Sequence, residues 1–353
     1  MNYVNFGRTG VKVSQLCLGC MNFGGRQNEE ESIGIIHQAL DAGINYLDTA
    51  NVYGHEPLKF EIGRGRSEQI VGEALKNGKR ARVFLATKVH YAMGEDPNAQ
   101  GNSRRHIIEQ CEASLKRLDT DYIDLYQLHG TDINTPIDES LRALDDLIRS
   151  GKVRYIGTSG FAAWELMEAL WVADTNKLNR FVSEQAPYNL LDRRIERELI
   201  PLLQTYDVAL VPWAPSAGGF FSEKYERDVS PPEGSRYEAF WRGFYRESFD
   251  QQQQVFDLQE LVLEMARERN VSGYAFALAW CLSRPGVTSP IIGPRTSEQL
   301  VDSLTALQVR LTVDDLKRLD QAAPPESVVV RYIDYKGKHI YRWYYRYAQY
   351  VVQ

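Results

Sequence analysis

Eight short apolar runs recur along this 353-residue chain, alternating with longer segments of helical period at a spacing of roughly 25 to 40 residues. The runs are Gln15–Gly19, Asn45–Asp48, Val83–Lys88, Tyr122–His129, Tyr155–Ser159, Phe181–Gln185, Ala209–Trp213 and Ser289–Gly293. Between them, Glu29–Asp41, Ser67–Lys76, Ser103–Leu118, Ile137–Ser150, Ala162–Asn176 and Glu196–Tyr206 carry apolar residues at steps of three and four, as helices with one buried face do. Strands this apolar need cover on both faces, which implies parallel pairing with helices outside. Eight such units predict an α/β fold closed as a (β/α)8 TIM barrel. The rival, an open doubly wound sheet binding a dinucleotide, would show G-x-G-x-x-G after its first strand, and LGCMNFGG does not fit. Ahead of the first strand, YVNFGRTGVKVS reads as a hairpin plugging the bottom of the barrel.

The repeat divides the chain into one barrel domain over 1–325 and an aromatic-rich extension over 326–353. Three segments exceed the repeat. Gly54–Arg66 is a charged insertion, and Ala214–Gln254, with Pro231 and Pro232 and a Gln run, is a candidate binding loop over the pocket. The tail carries tyrosines at 332, 335, 341, 344, 345, 347 and 350 together with Trp343. Rings of this size need cover, and the sequence leaves three forms of it open: the chain's own barrel, the substrate mouth, or a subunit contact in a homo-oligomer.

Charge narrows the partners. With 47 acidic against 41 basic residues the net charge is -6, which argues against nucleic acid and anionic membrane and favours a small-molecule substrate. The beginning, MNYVNFGRTG, has no basic stretch followed by an apolar run, and the longest apolar run, Tyr274–Leu282, is too short to span a bilayer. Cys17, Cys20, Cys111 and Cys281 are too scattered for a disulfide framework, so a cytoplasmic location is expected. The Cys17-x-x-Cys20 pair lacks a second pair to complete a zinc site and reads as small apolar residues at a strand end.

In a barrel of this kind, reacting groups project from the C-terminal ends of the strands. Collecting the polar residues there yields Asp48 with Tyr53 just beyond it, Lys88, His129, Ser159 and Gln185. A phenol, an ammonium, a carboxylate and an imidazole converging at one mouth form a proton-donating site, because ammonium charge and imidazole hydrogen bonding both favour phenolate. No nucleophile elbow and no metal-ligand spacing accompany the set. A carbonyl polarised by Tyr53 still needs an electron pair, which points to a hydride-donating cofactor.

The stretches GINYLDTANVYG, FLATKVH, DYIDLYQLHG and PIIGPRTSEQL, in this order, strongly resemble the aldo-keto reductase superfamily, over about Tyr3 to Leu319, and most of all bacterial members similar to potassium-channel beta subunits. The resemblance implies Tyr53 as general acid, Lys88 and Asp48 tuning it, and His129 orienting the carbonyl. It also implies an extended nicotinamide cofactor, with Ser159 and Gln185 on the carboxamide, Trp213 stacked on the ring, and the loop through Ala214, Pro215 and Gly218 to Lys224 over the pyrophosphate. Met21, Asp48, Gln299 and Ser303 complete the implied cofactor set. Gly293 and Arg295, just ahead of a helix starting near Thr296 or Ser297, suit an adenosine 2′-phosphate, since helix N-terminal amides and a guanidinium favour an anion.

The reading is therefore an NADPH-dependent carbonyl reductase, reversible as an alcohol dehydrogenase, with Met21, Phe23, Tyr91 and Trp241 as pocket walls. The alternatives are an oxidation-biased sugar or secondary-alcohol dehydrogenase and a cofactor-binding, redox-sensing accessory subunit. Two positions depart from the family pattern: Gly160 stands where Asn is common, and Ser303 where Asn often meets the adenine.

Overall fold

The computed structural model describes residues 1–54, 64–227, 229–233, 235 and 253–328. Trp241, most of the insertion after Gly54, and the tail beyond Val328 lie outside the described residues, as do the expectations attached to them. The opening hairpin pairs β1 (Tyr3–Asn5) with β2 (Lys12–Ser14). Each of the eight apolar runs then contributes one strand: β3 (Cys17–Gly19), β4 (Tyr46–Asp48), β5 (Phe84–Val89), β6 (Ile123–Leu128), β7 (Val153–Ser159), β8 (Ser183–Gln185), β9 (Ala209–Leu210) and β10 (Ile291–Ile292). They pair in parallel in the order β10-β3-β4-β5-β6-β7-β8-β9. The ring closes between its ends, where Leu210 bridges Val287 in parallel and Ile291 N donates to Pro212 O at 2.8 Å.

Among the described residues the helices are α1 (Glu29–Asp41), α2 (Arg66–Ala74), α3 (Arg104–Leu118), α4 (Ile137–Arg149), α5 (Ala163–Asn176), α6 (Leu199–Thr205), α7 (Gln253–Arg267), α8 (Gly273–Ser283), α9 (Ser297–Thr305) and α10 (Val313–Ala322). Side chains fix several starts. Asn28 and Glu31 form a capping box on α1, and Ser103, Ser272 and Thr296 cap α3, α8 and α9. Helix α6 is shorter than the pattern predicts. Pro201, which has no N–H, is accommodated in a first helical turn, so the helix starts at Leu199 and the preceding Arg194–Glu196 forms a separate 3-10 turn.

Two apolar cores follow from closure. The larger lies between the outer strand faces and the helices, with Leu18, Leu47, Leu85, Tyr126 and Ile156 on the strand side. The smaller fills the barrel with the alternate residues Cys17, Tyr46, Phe84, Ala86, Leu125, Ala209 and Val211, closed below by Phe6 and Val13 of the hairpin. Phe6 sits 4.9 Å from Phe84 and 5.6 Å from Tyr46, so the hairpin plugs the barrel as expected. Gly7 makes this approach possible, since a Cβ there would lie 2.6 Å from Asp207 O and φ is +51°. Cys17 and Cys20 are free and buried, and burial pushes both thiols up, in keeping with an apolar role. At the other end of the described chain, Val328 bridges Asp192 and Arg193 N donates to Ser327 O at 2.9 Å, so residues 327–328 pair with the loop after β8.

Glu184, on the outer face of β8, accepts hydrogen bonds from Phe161 N and Thr158 Oγ1. Burial nevertheless pushes its carboxyl from 4.5 up to about 8. A raised carboxyl stabilises the fold fully below its unfolded value and loses that contribution as pH rises through the folded one. Stability should therefore decline between pH 4.5 and about 8, and Glu184→Gln should flatten that slope in denaturant titrations at several pH values. A slope unchanged in the variant would exclude Glu184 as its source.

Candidate active site

Inside a barrel, strand alternation sends every second residue inward, and towards the C-terminal ends those residues turn polar: Asp48 on β4, Lys88 on β5, Gln127 on β6 and Gln185 on β8. Lys88 is fully buried and pairs with Asp48 Oδ1. It also donates to Thr49 O at 2.9 Å and to Tyr53 Oη at 3.4 Å. The other carboxylate oxygen of Asp48 accepts from Gln127 Nε2 at 2.9 Å and Gln185 Nε2 at 3.0 Å. Burial alone would pull the Lys88 ammonium down, yet the Asp48 charge, helped by Tyr53, holds it above the ordinary lysine value.

Tyr53 stands over this pair, and its Oη lies 3.3 Å from His129 Nε2, with the two rings edge to face at 5.5 Å. Burial, then the charges of Lys88 and His90, keeps His129 well below the usual imidazole range, so the ring is neutral. Its Nδ1 is buried without a hydrogen-bond partner among the described residues. The four side chains that the sequence assembles from four separate segments thus meet at one point.

They open on a cavity of about 550 Å³. Met21, Tyr91, Thr131 and Trp213 wall it beside Tyr53 and His129, and Ser159, Gly160 and Gln185 continue the wall. Ser159 Oγ donates to Gln185 O at 3.1 Å and Gln185 donates its amide nitrogen to Asp48, which leaves the Gln185 amide oxygen as its accepting end. Beyond β9 the chain coils tightly along the cavity, with Ala214, Ala217, Gly218 and Gly219 all at positive φ, 52°, 57°, 67° and 88°. Left-handed alanines are strained, and such strain concentrates where backbone must meet a ligand. Ala214, Pro215, Gly218, Lys224, Gly293, Arg295 and Gln299 all line the cavity. Burial and then the charges of Arg295 and Arg26 press the Lys224 ammonium down, and all three cations line the cavity. Helix α9 starts where predicted, although the amide of Arg295 is taken by Gln299 Oε1 at 2.8 Å.

Two expected residues sit elsewhere. Ser303 is buried outside the cavity wall, its hydroxyl donating to Gln299 O at 2.7 Å with Tyr274 Oη 3.1 Å away, because a helical serine satisfies itself on the preceding turn. Phe23, beyond the end of β3, is fully buried in the outer core and lines no part of the cavity. Gly160 has φ +71°, and a Cβ added to it would meet no atom within 4 Å, so the space an asparagine would occupy is open. Gln127, Arg26, Tyr274 and Asp302 escaped sequence reading. For Gln127 the signal was its inward parity on β6, whereas Asp302, held by Ser272 Oγ at 2.7 and 2.8 Å, had none beyond its place on α9.

Barrel, mouth and basic-walled cavity together define a class, the nicotinamide-dependent barrel oxidoreductases. The family model described as "Aldo/keto reductase family" matches residues 15–324, and the chain belongs to that family. Among its relatives, the uncharacterized oxidoreductase YrpG of Bacillus subtilis is 40% identical, covering 92% of this chain and 96% of its own length. Versiconal hemiacetal acetate reductase of Aspergillus parasiticus is 35% identical over 93% of this chain and 98% of its own. A probable voltage-gated potassium channel subunit beta of Oryza sativa is also 35% identical, over 93% of this chain and 99% of its own.

Breaking a buried ion pair on one side leaves an uncompensated charge. Asp48→Asn should therefore cost about 3–5 kcal/mol of stability, measured by denaturant unfolding. A loss below about 1 kcal/mol would mean that Thr49 O and Tyr53 alone sustain the ammonium.

Proposed function

We propose that this protein is an NADPH-dependent carbonyl reductase, reversible as an alcohol dehydrogenase, in which Tyr53 gives its proton to the carbonyl oxygen. The observation that carries this is the position of Tyr53 Oη, 3.4 Å from Lys88 Nζ and 3.3 Å from His129 Nε2 at the edge of the cavity. An ammonium can only donate, so Lys88 occupies one lone pair of the phenol oxygen. His129 is neutral, and a bare nitrogen at the partnerless Nδ1 costs less than an orphaned N–H, so the ring proton belongs on Nε2. With both neighbours donating, neither takes the phenol's own hydrogen, which we assign to the carbonyl oxygen. As that proton leaves, the ammonium and the imidazole N–H stabilise the phenolate left behind.

The residues present fit the cofactor. Ser159 and Gln185 offer a hydroxyl and an amide oxygen to a carboxamide, Trp213 offers a ring face, and the left-handed coil at 214–219 brings backbone close to the cavity. Lys224, Arg295 and Arg26 line the same cavity, and cations so placed favour the additional phosphate of NADPH over NADH. Bound NADPH supplies the hydride. No helix among the described residues is long and apolar enough to cross a membrane, and we place the protein in the cytoplasm acting on a small carbonyl or alcohol. The potassium-channel relative favours one second reading, a cofactor-binding accessory subunit, for which turnover would be slow and the cofactor retained through gel filtration.

Tyr53→Phe keeps the ring and removes the donor, so kcat should fall by about 100-fold or more with little change in NADPH affinity. Near wild-type reduction of an aldehyde panel by that variant would assign the acid elsewhere. Arg295→Ala should weaken NADPH binding by about 1–3 kcal/mol and leave NADH nearly unaffected in fluorescence titration. Equal losses for both cofactors would remove the 2′-phosphate from Arg295.

A further inference from the structure

A histidine that positions a reacting oxygen usually has its second ring nitrogen tied to an acceptor, which sets ring plane and tautomer together. His129 has no such tie, because its Nδ1 is buried and partnerless among the described residues. Something else must hold the ring.

The answer lies in two neighbouring loops at the barrel mouth, residues 90–103 after β5 and residues 129–136 after β6, which follow adjacent strands. Asn102, only 2% exposed, belongs to the first, and all of its polar groups are paired, two of them with the second loop. Its backbone N–H donates to Asp132 Oδ2 at 2.8 Å, and its carbonyl accepts from Ser140 Oγ at 2.7 Å. Its side-chain Nδ2 donates to Gly130 O at 2.9 Å, and its Oδ1 faces His90 Nδ1 at 3.0 Å. A carbonyl only accepts, so the contact with Gly130 fixes which way the amide points and makes His90 Nδ1 the donor. The other edge of His90 then presses on Gly130, where a Cβ would lie 3.2 Å from Cδ2 and 3.3 Å from Nε2. Its ring also meets Tyr91 edge to face at 5.1 Å, and Tyr91 meets His129 in the same way at 4.9 Å.

We infer that Asn102 is a positioning residue for His129. It acts on the residue next in chain, Gly130, and through His90 on Tyr91, the ring packed against the imidazole. Packing and a backbone clamp thereby replace the missing hydrogen bond to Nδ1. This rests on the reading that His129 faces the reacting oxygen, and no reactive group is assigned to Asn102 itself.

The test compares Asn102→Leu, which keeps the volume and removes both side-chain bonds, with Ser140→Ala, which removes only the contact from α4. Both are made in the full 353-residue chain with NADPH bound, using para-nitrobenzaldehyde as the carbonyl probe. For Asn102→Leu, kcat should fall by about 10- to 100-fold, the scale of a small misplacement at a reacting centre, with KM for NADPH unchanged. The ring resonances of 13C-labelled His129, assigned from a His129→Gln spectrum, should shift or broaden. Ser140→Ala should lower the melting temperature while kcat and the His129 resonances stay as in the wild type. If Asn102→Leu does not fold, Asn102→Ser carries the same readouts. Unchanged His129 resonances in the folded Asn102 variant overturn the inference, as does an equal fall in kcat for Ser140→Ala, which would mark a loss of general stability. If the wild-type chain reduces no aldehyde, the carbonyl-reductase reading falls, and the ring resonances alone still decide the role of Asn102.

Discussion

A closed ring of parallel strands has an inside that must be filled by every second residue of each strand, and both the fold and the chemistry of this protein depend on how that column is graded. Low in the barrel it is mostly apolar, with Phe6, Val13, Tyr46, Phe84 and Leu125 in one cluster. One layer up it becomes Asp48, Lys88, Gln127 and Gln185. The apolar layer excludes water from beneath the polar one, so the charges above it act in a poorly screened environment. A lysine ammonium survives there only because a carboxylate lies against it.

Asp48 is the hub of that upper layer. One oxygen takes Lys88 and the other takes Gln127 and Gln185, so residues from β4, β5, β6 and β8 are tied across the barrel interior. With its charge compensated in this way, Lys88 has a donor left for Tyr53, which reaches in from the loop after β4. His129 stays neutral for the opposite reason, since it is buried beside a cation with no paired anion among the described residues. One fixed cation thus governs two neighbours, stabilising negative charge on the phenol and refusing positive charge on the imidazole.

Around this rigid centre the loops decide what is bound. The left-handed coil after β9 and the cations Arg26, Lys224 and Arg295 come from three distant parts of the chain. The Asn102 clamp joins two further loops at the point where His129 enters the cavity.

The eightfold strand order, the hairpin plug and the meeting of Asp48, Tyr53, Lys88 and His129 were all legible in the sequence, because period and strand parity are local properties that closure turns into position. Gln127 went unread, although its inward parity on β6 marked it in the same way. The start of α6 was not, since Pro201 competes with the apolar period that runs through it. Ser303 was misplaced because the wall residues of a helix depend on its rotation against its neighbours, which brought Asp302 to the cavity and turned Ser303 to Gln299 and Tyr274. Arg26 and Asn102 lie in loops without period, and only the folded chain determined what they face. Local sequence thus determined which residues point into the barrel and at what depth, while the contacts between loops were decided by tertiary structure, because they join segments whose separation along the chain carries no geometric information until the ring has closed.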